Sequence, residues 1–347
     1  MITFNALQKK YEDFAVPTFK ITANGSEFAR TDFNIYSVSV DLSIGETCGA
    51  CRFSVGNIYE RGARKITPAA LEKLKPGTEL SISLGYGSKY TQVFAGYIDE
   101  LKLHFDEEGL YLVVYGLDAR NLMRENTRRF IYKDKKMADI INSTLDDYSK
   151  LIKSRSVNAV ALEQETSIAQ DGDDLSFVVE AAENRSLLVY MENDKFVMDK
   201  ASDTICLELE WEEFEMEFGI KYLDTKIHCV GCDSTNTERF AAEKPAKQKA
   251  DQAGLITTNQ HVILGSYLSG DAVAKIAEAM AESAVSEALY GRITLPHGVP
   301  EVLLGQKVKI TKFPLSPSKT GDTFTIVGIG HKINDENGFE SVLEISG

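Results

Sequence analysis

The sequence has 347 residues, which is enough for about two or three domains with buried cores. Its 38 lysines and arginines against 52 aspartates and glutamates give a net charge of −14 at pH 7, which argues against specific nucleic-acid binding. Apolar residues at 43% exclude disorder, and no apolar run approaches the roughly 20 residues of a membrane span. We therefore expect a folded protein that does not insert into membranes by itself.

The first ten residues, Met-Ile-Thr-Phe-Asn-Ala-Leu-Gln-Lys-Lys, lack the apolar segment of a signal peptide. The cysteine count of five is odd, which argues against a full disulfide framework. The odd count therefore predicts a reducing compartment during folding.

From Pro17 to about Tyr115, apolar and polar residues alternate with the period of β-strands. Turn sequences such as Pro76-Gly77 and Asp106-Glu107-Glu108-Gly109 separate the alternating runs. This pattern predicts a first antiparallel β-barrel over residues 1–118.

Around Arg120 the apolar period changes to that of helices. Two apolar stripes predict two helices: Met137, Ile140, Ile141, Leu145 and Tyr148, then Leu175, Val178, Val179 and Ala182. Asp171 is placed to cap the second helix, and Asp173 and Asp174 lie near its positive end. With the hairpin predicted after this helix, residues 119–200 form a small α/β module.

The remaining residues predict a second β-barrel that is split in sequence, over 201–236 and 292–347. Residues 237–291 between its parts predict an insertion of a loop and a long helix. Residues 239–255 carry few large apolar groups and are predicted to form an exposed loop. The helix has an alanine-rich apolar face that includes Val273 and Ile276, and Gly291 is its predicted C-cap.

Two distant segments share one layout, which predicts an internal duplication. Leu80 and Ile82 follow Gly77 at the same offsets at which Val308 and Ile310 follow Gly305. Leu101 follows Gly96 as Ile333 follows Gly328. The fold class predicted is therefore α+β, mainly β, with two related small antiparallel β-barrels and inserted α/β and helical modules.

The sequence contains no catalytic motif, so we assign no catalytic or cofactor-binding residue and expect no cofactor. It lacks HExxH, GxSxG and Walker A sequences, and Gly328-Ile-Gly330 lacks the third glycine of a dinucleotide loop. Three pairs of acids are possible acid/base groups, although such pairs are typically helix-terminal or solvated: Asp173-Asp174, Asp146-Asp147 and Glu212-Glu213.

Two CxxC pairs, Cys48/Cys51 and Cys229/Cys232, have the spacing of zinc knuckles. They are far apart in sequence and lie in strand-like segments, where cysteine is commonly a small buried side chain. The sequence leaves both interpretations open, and we assign no metal ligand.

His331 begins the closing hairpin, and its position predicts a hydrogen-bonded structural residue. Acidic and large apolar residues alternate from Glu208 to Glu217. This run predicts either a half-exposed strand or an acidic face that lines a channel or docking surface.

The order of several segments resembles that of the phage late control D proteins, the baseplate hubs of contractile tails, and of the N-terminal hub region of VgrG. The resemblance covers most of the chain from Pro17, and its motifs are degenerate. The segments that carry it are Lys75–Tyr86, Val93–Ile98, Lys136–Ile141, Gln170–Ala182, Val189–Phe196 and the closing Gly328–Leu343.

This resemblance implies a homotrimeric hub in which each chain contributes two tube-like barrels, giving a pseudo-sixfold ring. Such a ring would join a hexameric inner tube to a trimeric central spike. The implied partners are the tail tube, spike, baseplate wedge and tape-measure proteins. The sequence departs from VgrG by ending at Gly347 without a needle, so we expect the spike to be a separate chain.

The function predicted is thus a non-enzymatic baseplate hub of a contractile phage tail, tailocin or related injection particle. One alternative is a carbohydrate-binding or glycan-hydrolysing β protein of a phage tail that uses Asp173 or Asp174. Another is a zinc-stabilised adaptor. The negative charge is compatible with a lumen through which DNA or protein cargo slides.

Overall fold

The computed structural model describes residues 2–28, 34–60, 62, 64–67, 72–106, 109–133, 135–159, 162, 167–210, 214–220, 224–232, 239–246, 257–267, 269–286, 289–312 and 322–347. In this part of the chain, strands greatly outnumber helices, which confirms the predicted α+β, mainly β fold class. No helix in it is both long and apolar enough to span a membrane.

The strands are, in chain order, β1 (Ile2–Thr3), β2 (Pro17–Ala23), β3 (Ser26–Glu27), β4 (Asn34–Ser43), β5 (Ala50–Gly56), β6 (Tyr59–Glu60), β7 (Lys65–Ile66), β8 (Glu79–Tyr86), β9 (Lys89–Asp106), β10 (Gly109–Leu117), β11 (Thr127–Lys133), β12 (Ser154–Val157), β13 (Ser167–Asp173), β14 (Leu188–Glu192), β15 (Lys195–Asp199), β16 (Ile205–Glu210), β17 (Glu215–Ile220), β18 (Asp224–Cys232), β19 (Arg239–Ala246), β20 (Thr257–Tyr267), β21 (Leu289–Leu295), β22 (Lys307–Thr311), β23 (Asp322–Asn334) and β24 (Gly338–Ser346). The helices are α1 (Phe4–Lys10), α2 (Ala119–Glu125), α3 (Met137–Asp146), α4 (Asp174–Glu183) and α5 (Gly270–Ser286).

Two sets of strands with the same spatial order form most of the fold. The first strand set runs β4-β5-β10-β9-β8-β2, and the second strand set runs β17-β21-β24-β23-β22-β16. All neighbours are antiparallel except β16 and β22, which are parallel. This common order supports the predicted internal duplication.

The two sets join edge to edge in one continuous sheet. Strand β4 of the first set pairs antiparallel with β23 of the second, from Ser37 opposite Asn334 to Ser43 opposite Gly328. The largest hydrophobic core draws side chains from both sets, including Phe53, Phe94, Ile326 and Leu343. Burial of these apolar side chains therefore stabilises the two sets together.

The α/β module has its own core and one small sheet of its own. Helices α2, α3 and α4 bury Met123, Ile141 and Val178 against Phe196 of the three-stranded sheet β12-β15-β14. The predicted helices and hairpin of this module are confirmed.

A five-stranded sheet, β11-β13-β20-β18-β19, lies outside both strand sets. It joins module strands to β18, which the sequence places with the second barrel, and α5 packs on it through Val273 and Ile276. The prediction of an exposed loop is wrong for residues 239–246, because they form β19 paired along β18. The division of the chain at residues 118, 200, 236 and 291 stays a prediction.

Candidate functional sites

The acid pair Asp173-Asp174 lies at the start of α4, where both carboxylates serve the fold. Asp173 Oδ1 accepts a hydrogen bond from the Ser176 amide at 2.8 Å, so Asp173 is the N-cap. The predicted cap, Asp171, lies in β13 and instead forms an exposed ion pair with Arg129 at 2.9 Å. The cap prediction was wrong by two positions because the strand continues up to the helix.

Asp174 is fully buried and accepts four hydrogen bonds. Arg128 Nε and Nη2 donate to its two oxygens at 2.7 Å each, and the Gln170 amide donates at 2.7 Å. The Tyr148 hydroxyl donates at 2.5 Å, and burial together with this bond raises the pKa of Tyr148. A carboxylate held this way anchors β11, β13 and the end of α3 to α4 and offers no free oxygen to a substrate.

The other acid pairs give no support to acid/base chemistry. Asp146 pairs with Arg155 at 2.8 Å, and Asp147 pairs with Arg128 at 2.7 Å. Both aspartates are largely exposed, as solvated ion pairs at a helix end usually are. The third pair, Glu212-Glu213, lies outside the described residues.

The two CxxC pairs lie in different parts of the fold. Cys51 is buried in the core of the strand sets, whereas Cys229 is buried under α5 in the five-stranded sheet. All four cysteines of the pairs are free thiols. Burial raises the pKa of the Cys229 thiol, and the described residues contain no group of three or more His, Cys, Asp or Glu placed to hold a metal.

His331 lies buried in β23, where Ser341 of β24 contacts its ring. Its Nδ1 is 2.7 Å from the Ser341 hydroxyl, which also accepts the Val299 amide hydrogen at 2.9 Å. The prediction of a hydrogen-bonded structural histidine is confirmed. The direction of the bond between Nδ1 and the hydroxyl depends on the tautomer of the imidazole.

His331 also lines a cavity of about 20 Å³ where the strand sets meet the turn between β14 and β15. Asn193 in that turn lines it too. This volume accommodates about one water molecule, whereas ligand pockets typically exceed ~300 Å³. The cavity is therefore too small to be a substrate site.

Burial makes His331 a source of acid sensitivity. It lowers the pKa of the imidazole to about 3 from the model-compound value of 6.5, so the unfolded chain binds a proton at higher pH than the folded one. As the pH falls between these values, the unfolding free energy should drop by up to about 1.4 kcal/mol per pH unit. Urea denaturation at about pH 7 and about pH 5 measures this slope.

The matched comparison is His331→Gln, which keeps an acceptor for Ser341 but does not titrate. The nearby Asp41, whose carboxyl pKa is raised by burial and by Glu344, is present in both proteins and cancels in the comparison. Equal pH slopes for the wild type and the variant would contradict the assignment of acid sensitivity to His331.

The acidic run from Glu208 to Glu217 divides between two strands. On β16, Glu208 pairs with Lys309 at 3.3 Å and Glu210 with Lys312 at 2.8 Å, so part of its charge is neutralised. On β17, Glu215 and Glu217 are exposed. The channel-lining role of this run stays a prediction.

Sequence reasoning missed a second buried ion pair, between Asp118 and Arg120. Arg120 donates to Asp118 Oδ2 from Nε at 3.0 Å and from Nη2 at 2.8 Å. Its Nη1 also donates to the carbonyl of Ser43 at 2.9 Å and to that of Gly45 at 3.1 Å. Only the capping of α2 by Asp118 has a recognisable sequence signal, an aspartate directly before the first helical residue.

Large apolar side chains are exposed at strand edges rather than in a cleft. They include Leu103 and Phe105 on β9, Phe130 and Ile131 on β11, Phe218 on β17 and Tyr290 on β21. Exposed apolar groups on open strands are typical of surfaces that pair with another chain. Tyr290 is the exception among these residues, because β21 is paired on both sides by β17 and β24.

Comparison with known proteins identifies related sequences and folds. The family model described as the Alg8 N-terminal domain matches residues 13–261. No curated protein sequence matches this chain significantly.

Several solved structures share the fold. The tail protein from Neisseria meningitidis MC58 is 12% identical, with a TM-score of 0.70 over 96% of this chain and 97% of its own. The 43 kDa tail protein of prophage MuSo2 from Shewanella oneidensis is 14% identical, with a TM-score of 0.68 over 94% and 97%. The E. coli c3393 protein, described as a type VI secretion component similar to phage T4 tail proteins gp27 and gp5, is 12% identical, with a TM-score of 0.61 over 94% and 76%. At these identities the likeness shows the fold, and the predicted resemblance to phage tail proteins is confirmed at that level.

Proposed function

We propose that this chain, which belongs to the family of the Alg8 N-terminal domain, is a structural component of a phage tail or related injection particle. The support for this role is its fold, which is that of phage tail proteins. Within that particle it acts as the baseplate hub, of the late control D type, and performs no catalysis. It is assembled in the bacterial cytoplasm and joins the inner tube to the central spike.

The observation that carries this proposal is the pair of strand sets with one spatial order, joined in one sheet. If each set occupies the place of one tube subunit, three chains present six such places. A homotrimer can then match a hexameric tube on one side and a trimeric spike on the other. The wedge and tape-measure proteins are its further neighbours in this scheme.

The negative net charge of −14 suits a passage for DNA or protein cargo, since it disfavours adhesion of a polyanion. The competing glycan-processing function gains no support from Asp173 and Asp174, because the first caps α4 and the second is saturated with hydrogen bonds. We therefore propose no enzymatic role.

The trimer can be tested by measuring mass in solution, for example by light scattering during size-exclusion chromatography. We expect a species three times the 38.4 kDa of one chain at micromolar concentration. This species should co-sediment with polymerised tube protein of the same particle. A stable monomer that binds neither tube nor spike protein would contradict the hub function.

A further inference from the structure

Strand β9 has a long open edge that carries exposed apolar side chains. Its pairing with β8 ends at Tyr97 opposite Glu79, although β9 continues to Asp106. Beyond this point β10 covers one edge, and no described strand covers the other. On the face that continues the core, Leu103 is 54% and Phe105 is 78% exposed.

The corresponding edge of the second strand set is occupied within the same chain. Strand β22 pairs with β23 only as far as Lys307 opposite Thr325, and β4 then continues along the same edge of β23. There Val38 lies opposite Ile333 and Val40 opposite His331. The second set therefore shows what covers an edge of this kind.

The registers of the two sets coincide closely enough to identify equivalent positions. In β9 the residue left out of the ladder with β10 is Asp99, and in β23 the residue left out of the ladder with β24 is Val327. Counting from these two bulges, Leu103 of β9 corresponds to His331 of β23, and Phe105 corresponds to Ile333. Bulges at matching places are strong markers of register.

The same counting identifies the counterpart of β4. Phe53 of β5 lies opposite Val38 of β4, and its equivalent, Ile293 of β21, lies opposite Met216 of β17. Strand β17 therefore occupies in the second strand set the position that β4 occupies in the first. Among the described strands it pairs only with β21, so its outer edge is open to another chain in the part of the protein that the structure describes.

We propose that β17 of one chain adds antiparallel to the open edge of β9 of a second copy, in the register that β4 and β23 adopt within the chain. This inference rests on the proposed trimeric ring. The register places Met216 opposite Phe105 and Phe218 opposite Leu103 of the next chain. Phe218 is 48% exposed in one chain, so the contact removes apolar surface on both sides from water.

On the outward face the register brings together charges of both kinds. Glu217 lies opposite His104 of the next chain and diagonal to Lys102, within reach of a favourable charge interaction, whereas Glu215 lies opposite Asp106, which carries the same charge. The apolar face therefore carries the contact. Because the two surfaces of this contact differ, it is heterologous and generates either a closed ring or an open helix. The proposed trimer is the closed case, in which three chains bring six strand sets into one ring.

The test is a disulfide placed in the proposed register. The variant Glu217→Cys with His104→Cys should form covalent dimers and trimers on oxidation, which disappear on reduction, because directly opposite residues lie within disulfide reach. The control Glu217→Cys with Glu100→Cys keeps the same face but displaces the pair by four residues, about 13 Å along the strand. On oxidation this control should form no more disulfide-linked dimer or trimer than the variants that carry only one of the two new cysteines.

The outcomes separate this inference from the proposed function. The protein could be a trimer by mass while Glu217→Cys with His104→Cys fails to cross-link, or while the control with Glu100→Cys cross-links equally well. Either result overturns the strand pairing but not the trimer. A protein that stays monomeric at micromolar concentration overturns both.

A second variant tests the apolar contact without cysteine chemistry. Leu103→Glu with Phe105→Glu should convert the trimer to a monomer with an unchanged far-ultraviolet circular dichroism spectrum, because both side chains are exposed in the single chain. The control Phe130→Glu with Ile131→Glu changes two other apolar side chains that are more than half exposed, on β11, and should leave the trimer intact. A trimer that survives the first variant overturns the inference.

Discussion

Replacing Arg120 by methionine is expected to lower the free energy of unfolding by about 3–5 kcal/mol, because it leaves the buried Asp118 carboxylate without its counter-ion. Both side chains are only 1% exposed, and the guanidinium also holds the carbonyls of Ser43 and Gly45 at the end of β4. Two backbone amides, those of Gly49 and Arg120, still donate to the carboxylate in the variant and keep the loss within this range. Urea denaturation followed by circular dichroism measures the loss.

Two further variants make this result specific. Arg129→Met removes an arginine from an exposed ion pair and should cost less than about 1 kcal/mol. Asp118→Asn combined with Arg120→Met removes the unpaired buried carboxylate but keeps a side-chain oxygen to cap α2. The double variant should therefore be more stable than Arg120→Met alone. An Arg120→Met protein within 1 kcal/mol of the wild type would show that the pair contributes little.

Replacing Asp174 by alanine is expected to cost about 3 kcal/mol, because it strips three buried or half-buried side chains of their acceptor. Arg128 retains Asp147 and is 31% exposed, which limits the penalty for its charge. Tyr148 and Gln170 lose their bonds to this carboxylate in the interior of the module, and these account for much of the loss. Thermal or urea unfolding of the full chain measures the effect.

The neighbouring Asp173→Ala is the matched control. It removes only the cap of α4 and should cost about 1 kcal/mol. Asp174→Asn keeps the shape of the side chain and should fall between the two alanine variants. If Asp173→Ala proved as damaging as Asp174→Ala, the hydrogen-bond network around Asp174 would not be the source of the stability.

Local sequence pattern sufficed for most strands and helices because apolar periodicity reflects which face is buried. The spacing of the turn glycines also predicted part of the duplication correctly. Gly77 with Leu80 and Gly305 with Val308 occupy equivalent places at the start of β8 and β22. For the next strand the glycine match was misleading, since Gly96 lies opposite Leu80, whereas the residue opposite Val308 is Phe324.

That error of four residues has a physical cause. Gly328 pairs with Ser43 of β4, beyond the end of β22, so its surroundings correspond to those of Glu100 and not of Gly96. Which residues face each other depends on hydrogen bonds between distant segments, and no local spacing records them. The predicted C-cap Gly291 failed for a similar reason, because it lies inside β21 between β17 and β24.

The five-stranded sheet was the least predictable part. Strand β19 contains three alanines, one glutamate, one lysine and one proline among its eight residues, a composition with little strand propensity. It forms a strand because it pairs along β18. The buried polar groups were equally hidden. Nothing in the local sequence distinguishes Asp174, with four donors, from Asp173, with a single capping bond.

The junction between β4 and β23 has a consequence for synthesis of the chain. Residues 34–43 leave the ribosome before their partner residues 328–334, which follow nearly 300 residues later. Until then the outer edge of β4 lacks the strand that finally covers it, and such an edge can pair with other nascent chains. Folding of the first strand set therefore stays incomplete until residues that follow it by nearly 300 positions have been synthesised.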